Sequence, residues 1–329
     1  IIGEDVPNSK VKNGTSLKGL NYIKLPTFHV NFFGRILTFH KSLLLQLKKN
    51  NPEIIICEAE SHLMGYLTAI FYKFCFNRDV KLIYWCFISI PGRVYNRYSF
   101  IEIFKRNIRK LFDHFFLYHS YGKNVLLNTG INKELITTVT NVGNTKRFND
   151  LSKKKTPNSL AKQKLNLDES CTLLFLGSLD KNKKPSKLIE IMNSIDIKVN
   201  VIFLGDGALY KELKDLNNKN VLMPGYVKEN IEIYLSASDI VIVPGRGGMN
   251  ISESLAFGLP VIVHQADGIE HDLIKNGKNG FIIPDDKVST YSFFIKEIMS
   301  KNFEFIHTIN YSSNTMAEAM INGCKKILK

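Results

Sequence analysis

The segment Asp239-Ile-Val-Ile-Val-Pro-Gly-Arg-Gly-Gly-Met-Asn-Ile-Ser-Glu-Ser-Leu-Ala-Phe-Gly-Leu-Pro-Val-Ile262 runs from a buried strand into a glycine-rich turn and then into a helix. Ile240 to Val243 are all β-branched and apolar, as a strand covered on both faces requires. Gly245, Gly247 and Gly248 let the backbone approach a ligand closely and take φ > 0. The helix beyond them offers unpaired N–H groups and the positive end of its dipole, a setting for a diphosphate. Arg246 adds a forked cation to the same turn. Glu253 stands one turn into the helix, where a carboxylate can accept two vicinal sugar hydroxyls. Asn250-Ile-Ser-Glu253 also fits a capping box, in which Glu253 only closes the helix start. Gly258 with Pro260 reads as a helix stop. The spacing is neither GxGxxG nor a Walker loop.

Outward from this turn, apolar runs alternate with helical patterns in both halves. Strands are expected at 172–177, 199–205, 221–223, 239–243, 260–263 and 281–283. Helices are expected from about 185, at 208–216, 229–237 and 251–257, and near 269–275. Together they read as a doubly wound α/β domain. The first half follows the same scheme. Strands are expected at 53–57, 80–90 and 114–119, a helix at 62–76, and a basic amphipathic helix at 98–112. The polar, Lys-rich stretch 149–170 reads as a linker. The expected division is 1–150, a linker at 151–170, and 171–329. In open parallel sheets ligands bind beyond the carboxyl ends of the strands, so two such domains face one another across a cleft.

The chain has 329 residues, 44% hydrophobic and 22% charged, enough for two ordinary domains and too apolar for intrinsic disorder. No apolar run reaches the roughly 18 residues of a spanning helix, and Leu63 to Phe76 is broken by Lys73, so a soluble or membrane-peripheral protein is expected. Five cysteines, an odd number without a CxxC pair, point to a reducing compartment and away from a disulfide framework. The chain starts Ile-Ile-Gly rather than Met, so its natural beginning is expected to be missing. Residues 1–155 carry 24 basic and 10 acidic groups (24 − 10 = +14), whereas 156–329 carry 20 of each. One half therefore faces an anionic partner, or presents a solvated Lys/Asn-rich surface.

A second loop gathers cations at the same sheet edge. Leu176-Gly-Ser-Leu-Asp-Lys-Asn-Lys-Lys-Pro185 ends a strand at Gly177 and brings Lys181, Lys183 and Lys184 behind it. Lysines there neutralise a diphosphate leaving group, or belong to a solvated loop. Leu204-Gly-Asp-Gly207 and Pro224-Gly-Tyr-Val227 add two more strand-end turns.

In this order the elements resemble the GT-B fold glycosyltransferases of family 4, retaining enzymes that use nucleotide-sugar donors. Gly177-Ser-Leu with Lys183 and Leu188-Ile-Glu190 is similar to the family's GRL…K…LIEA segment, and Phe203-Leu-Gly-Asp-Gly207 to VGDGP. Pro224-Gly-Tyr-Val227 resembles LGxV, Tyr234-Leu-Ser-Ala-Ser-Asp239 LYxxAD, Glu253 to Ile262 EAMACGxPVI, and Asn276-Gly-Lys-Asn-Gly280 the DGxNG turn. The first half matches more loosely, through Asn51-Pro-Glu-Ile-Ile-Ile56, Ser120, Gly130-Ile131 and Asn141-Val-Gly-Asn-Thr145 with Phe148.

The resemblance implies two catalytic positions, Lys183 on the diphosphate and Glu253 on the nucleotide ribose. It implies donor contacts from the amides of Gly248, Met249, Asn250 and Ile251, with Gly177 and Gly247 in the adjoining turns and Tyr226-Val227 beside the base. The sequence departs from the family in four places. Ser178 stands where the family has an arginine, with Arg246 or Lys184 as possible replacements. Gly245 stands where the first glutamate of E-x7-E belongs, so the usual donor-sugar carboxylate is absent. The histidine expected after the strand near Tyr84-Trp85 is missing. So are the first strand and its Gly-rich acceptor loop. The Gly-Arg-Gly-Gly turn is a variant associated with sugar transferases for bacterial surface polysaccharides.

The implied function is a retaining transfer of a sugar to a glycan or lipid-linked acceptor in O-antigen, capsule or lipopolysaccharide synthesis. No bound metal or other cofactor is expected, and Asp285-Asp286 reads as a turn. The charge asymmetry and the basic helix at 98–112 point to an anionic membrane surface, and so to a cytoplasmic protein on the inner face of the plasma membrane. The same helix also reads as a core helix with its cations in water. No RNA-binding signature is present. A nucleotide-sugar epimerase of the same fold and a non-catalytic nucleotide-sugar binder are the rival readings.

Overall fold

The computed structural model describes residues 2–3, 21–32, 35–58, 63–88, 100–264, 267–307 and 311–328. Two short strands, β1 (Ile2–Gly3) and β2 (Lys24–Leu25), pair in parallel, and β3 (Thr27–Phe32) with β4 (Arg35–His40) forms an antiparallel hairpin. The first parallel sheet follows, its strands β5 (Ile54–Glu58), β6 (Lys81–Cys86), β7 (His114–Leu117) and β8 (Ile136–Thr138) lying side by side in chain order. Helices α1 (Leu43–Asn50), α2 (Leu63–Cys75), α3 (Phe100–Arg109) and α4 (Lys123–Asn128) accompany it. Residues 89–90 of the expected strand and 98–99 of the expected basic helix lie outside the described residues.

Helices α5 (Thr145–Ser152) and α6 (Asn158–Lys164) lead to the second sheet. Its strands are β9 (Cys171–Leu176), β10 (Val199–Leu204), β11 (Val221–Gly225), β12 (Ile240–Val243), β13 (Val261–His264) and β14 (Gly280–Ile283), in the parallel order β11-β10-β9-β12-β13-β14. Helices α7 (Lys187–Ser194), α8 (Tyr210–Asp215), α9 (Ile231–Ala237), α10 (Met249–Phe257), α11 (Glu270–Leu273) and α12 (Val288–Met299) alternate with them, and α13 (Ser313–Leu328) ends the described chain. The order reverses between β9 and β12, so the crevice of this sheet opens where Gly177 and the 244–248 turn emerge.

The sequence explains the layering. Every residue of β9, β10, β7 and β12 is buried, as in strands covered on both faces. Alternate residues serve opposite cores. Leu174, Leu176, Val241 and Val243 pack with α9 and α10, whereas Leu173, Phe175, Ile240 and Ile242 pack with α7 and α12.

Two expectations about chain organisation meet a different arrangement. The stretch 151–170 contains α6, docked on α9, with Ala161 fully buried. Lys162, 4% exposed, donates to Asp239 Oδ2 at 2.8 Å, and the same oxygen accepts the Thr172 N–H at 2.8 Å. A polar composition here conceals a helix held by a partly buried ion pair. Likewise α13, grouped by sequence with the second half, lies on the first sheet. Its Met316, Met320, Cys324 and Ile327 cover Ile83, Phe116 and Val139.

The expected membrane-facing cations of the basic helix are also reduced by one. Arg109 is buried against Glu102 at 2.6 Å. No helix among the described residues is long and apolar enough to cross a membrane.

Candidate functional site

Two loops at the sheet crevice are fastened to each other by backbone. Asp180 Oδ1 accepts the N–H groups of Asn182 (3.0 Å) and Lys183 (3.2 Å), folding 181–183 into a tight turn. The Arg246 N–H donates to Asn182 O at 3.1 Å. Gly245 packs so closely on this turn that a Cβ would lie 2.3 Å from Asn182 O, so a side chain here meets backbone that cannot yield. The glycine thus explains the missing glutamate in physical terms. The result places Lys183 over the end of β9. Its Nζ stands 3.2 Å from the position of a Cβ on Gly177, with Asn250 Nδ2 3.8 Å from the same point.

Helix α10 begins at Gly248 (φ 68°, ψ −139°) without a side-chain cap. The capping-box reading is therefore corrected: Asn250 Nδ2 donates to Leu176 O at 2.7 Å, and Glu253 Oε1 accepts the Asn144 N–H at 3.1 Å. Asn250 pins the helix to the end of β9, Ile251 is fully buried in the core, and Met249 is exposed. What these three present toward the turn is their backbone amides. Burial raises the Glu253 carboxyl above its ordinary range, opposed by the Asn144 amide and by the charges of Arg147 and Lys183. Lys183 and Glu253 thus share one neighbourhood.

The other expected donor residues are less concentrated. Lys184 turns away to Asp286 at 2.7 Å. Ser178 Oγ donates to Asp180 Oδ2 at 2.6 Å. Arg246 is exposed, with Nε 4.0 Å from Asp267 Oδ1. Tyr226 is 78% exposed at the end of the edge strand β11, while Val227 packs against the core.

Residues of the first half complete the site, and sequence reasoning gave them no role. Gly143 N–H donates to Ser252 Oγ (2.9 Å), and a Cβ on Gly143 would fall 2.5 Å from Glu253 Oε1. Arg147 Nη2 donates to Lys228 O at 2.9 Å. Farther along the same seam, buried Asp272 accepts the Ser120 N–H (2.9 Å), the Ser120 hydroxyl and the Thr140 hydroxyl (3.3 Å). Tyr121 stacks on His271 with centroids 4.8 Å apart. His119 is 1% exposed, its Nδ1 accepting the Gly122 N–H at 3.3 Å while its Nε2 is buried without a partner. Burial holds its pKa down to about 4, so the ring is neutral. The Asn141-Val-Gly-Asn-Thr145 string was the available signal for Gly143 and Asn144; nothing comparable marked Asp272 or His119.

A doubly wound sheet with a cation-bearing, glycine-lined crevice, closed over by a second α/β unit, is the GT-B arrangement. Residues 158–315 match the family model for glycosyl transferases group 1. The match marks a glycosyl transferases group 1 domain, and the chain around it has the GT-B fold. In fold the chain is similar to the lipopolysaccharide outer core galactosyltransferase WaaB in its apo form, at 16% identity over 86% of this chain and 78% of that one, TM-score 0.65. It is also similar to a glycosyltransferase from Rickettsia africae (17% identity, 88% and 80% covered, TM-score 0.67). A third similar structure is Alr3699/HepE of Anabaena in complex with UDP (16% identity, 87% and 79% covered, TM-score 0.60). No curated protein matches the chain in sequence.

Proposed function

We propose that the protein transfers a sugar, with retention, from a nucleotide-sugar donor to a glycan or lipid-linked acceptor of a cell-surface polysaccharide. The observation that carries the donor reading is the convergence of Lys183, the Gly248 helix start and Glu253 at the strand-order reversal. Lys183 and the amides of Gly248 to Ile251 grip the diphosphate, Glu253 accepts the ribose hydroxyls, and Tyr226-Val227 flank the base. The UDP complex of HepE supports this donor class. With Gly245 in place of the usual donor-sugar carboxylate and no protein nucleophile assigned, transfer rests on stabilising the departing diphosphate and positioning the acceptor on the face it leaves. No metal is required, and EDTA is expected to leave turnover unchanged.

The helices beside the first sheet support a lipid surface. Leu45, Phe71, Phe74 and Phe76 are exposed on α1, α2 and the turn after α2, and Lys48 Nζ lies 4.4 Å from the Phe76 ring centroid. Apolar side chains rimmed by cations bind the interface of anionic bilayers, in keeping with a place at the inner face of the plasma membrane. Sedimentation with anionic vesicles at low salt tests this; failure to bind removes the membrane from the proposal.

Thermal shifts against a panel of nucleotide sugars test the donor class, because a ligand that binds only the folded state raises its stability by mass action. Lys183→Ala and Glu253→Ala are each expected to raise donor KM and lower turnover, by about tenfold or more for a lost charge-assisted contact. Near-normal kinetics in both would refute the site. Incubating the donor without acceptor separates transfer from epimerisation, since an epimerase alters the sugar by itself.

A further inference from the structure

The glycine-rich turn is lined by cations, yet a buried carboxylate faces it. Asp267 is 9% exposed. Its Oδ2 lies 3.9 Å from the position of a Cβ on Gly248, and its Oδ1 lies 4.0 Å from Arg246 Nε. Burial pushes the Asp267 carboxyl up, while Arg246, Lys183 and the Gly248 N–H pull it down. The backbone beneath it is clamped. The Asp267 and Gly268 amides donate to Glu270 Oε2 at 3.2 and 2.8 Å, and Gly268 (φ 96°) lies on the His119 ring, where a Cβ would come 2.7 Å from Cε1.

A carboxylate in such a place costs free energy unless its oxygens are fully paired; the Gly248 N–H and the charges of Arg246 and Lys183 offset part of that cost, and the guanidinium nitrogen at 4.0 Å is outside hydrogen-bond reach. A diphosphate on Lys183 and the α10 amides brings like charge toward Asp267, and like charges repel strongly away from water. The carboxylate therefore suits a part of the bound ligand that is neutral and rich in hydroxyl donors. The Gly245 side of the turn cannot supply such a group, because backbone fills the space of its side chain.

We propose that Asp267 reads the sugar of the donor, its oxygens accepting hydrogen bonds from sugar hydroxyls while Arg246 steadies it. This rests on the donor reading above.

The test uses the full chain and its Asp267→Asn variant, with calorimetric titration of UDP, GDP and ADP and of UDP-glucose, UDP-galactose, GDP-mannose and ADP-glucose. For the pair that the wild type binds, the variant is expected to weaken the nucleotide sugar by about tenfold or more, the worth of a hydrogen bond to a charged group. The matching diphosphate is expected to bind as before or several-fold tighter, since a repelling charge is gone. Its retained binding also shows that the variant is folded, and Asp267→Ser repeats the measurement should the first variant not fold. Equal losses for both ligands, or no loss for either, would overturn the assignment while leaving the donor reading intact. A wild type that binds no ligand of the panel sinks both.

Discussion

Gly143 touches the carboxylate proposed to hold the nucleotide ribose. A Cβ there meets Glu253 Oε1 at 2.5 Å, and the adjoining Asn144 N–H is the group that orients this oxygen. Gly143→Ala pushes the carboxylate aside without opening a cavity. Donor KM is expected to rise about tenfold, the loss of one charge-assisted hydrogen bond, with the melting temperature almost unchanged; steady-state kinetics and a melt on the same sample decide it. Asn250→Asp makes a complementary case. Its Nδ2 faces Leu176 O at 2.7 Å, so the change sets acceptor against acceptor in a buried spot. A loss of about 2 kcal/mol in urea unfolding is expected.

That Lys183 and Glu253 come together at one sheet edge was legible because strand-end glycines mark both loops. Asp267 was not, since a single acid after a strand has no period, and only the folded neighbours Gly248, Arg246 and Glu270 give it meaning.

At the scale of elements, most of the second sheet could be read from apolar runs with Gly or Pro at their ends, and those strands appear within a residue or two of expectation. What stayed hidden are elements whose partners are remote. Helix α6 contributes a fully buried alanine and a lysine that reaches across to Asp239. Composition suggests a tether there, but the ion pair makes it structure. Lys162→Ala strands a partly buried carboxylate, and we expect a loss on the order of 3 kcal/mol by chemical denaturation.

Helix α13 was illegible for a related reason. Its apolar positions cover the first sheet, from which the whole second sheet separates it in sequence. Gly323 marks the closest approach, where a Cβ would stand 2.4 Å from Phe116 Cε1. Gly323→Leu is expected to cost about 1–3 kcal/mol through overpacking and to raise proteolytic sensitivity in α13 first, which limited proteolysis with mass mapping reports. The β3–β4 hairpin gave no strand expectation either, although Phe28 stacks on Phe39 at 4.7 Å.

For the molecule as a whole, two buried histidines set the acid limit. Burial holds His114 at about 4, helped by the nearby charge of Lys326, and holds His119 at about 4, with His271 adding to the effect and Asp272 opposing it. An unfolded chain protonates both rings near 6.5, whereas the native state does not until about 4. Stability is therefore complete above the unfolded value and drains as pH falls through that window, by on the order of 3 kcal/mol per ring. The raised carboxyls of Glu253 and Asp267 act the other way, favouring the fold below the ordinary carboxylate range and losing that contribution as pH rises through their own values. Urea midpoints measured between pH 7 and pH 4.5 should fall in the wild type. They should fall less in a His114→Gln, His119→Gln double variant.

The placement of α13 has a further consequence during synthesis. Lys326 reaches the carbonyl and carboxylate of Glu134, 192 residues upstream, and the helix around it roofs Ile83, Phe116 and Val139. A ribosome therefore delivers the early lobe with a greasy flank bare, and that flank stays bare until nearly the whole second lobe has emerged. Nascent chains stalled short of residue 313 ought to recruit chaperones at this flank, and release of a chain that includes α13 ought to end the association.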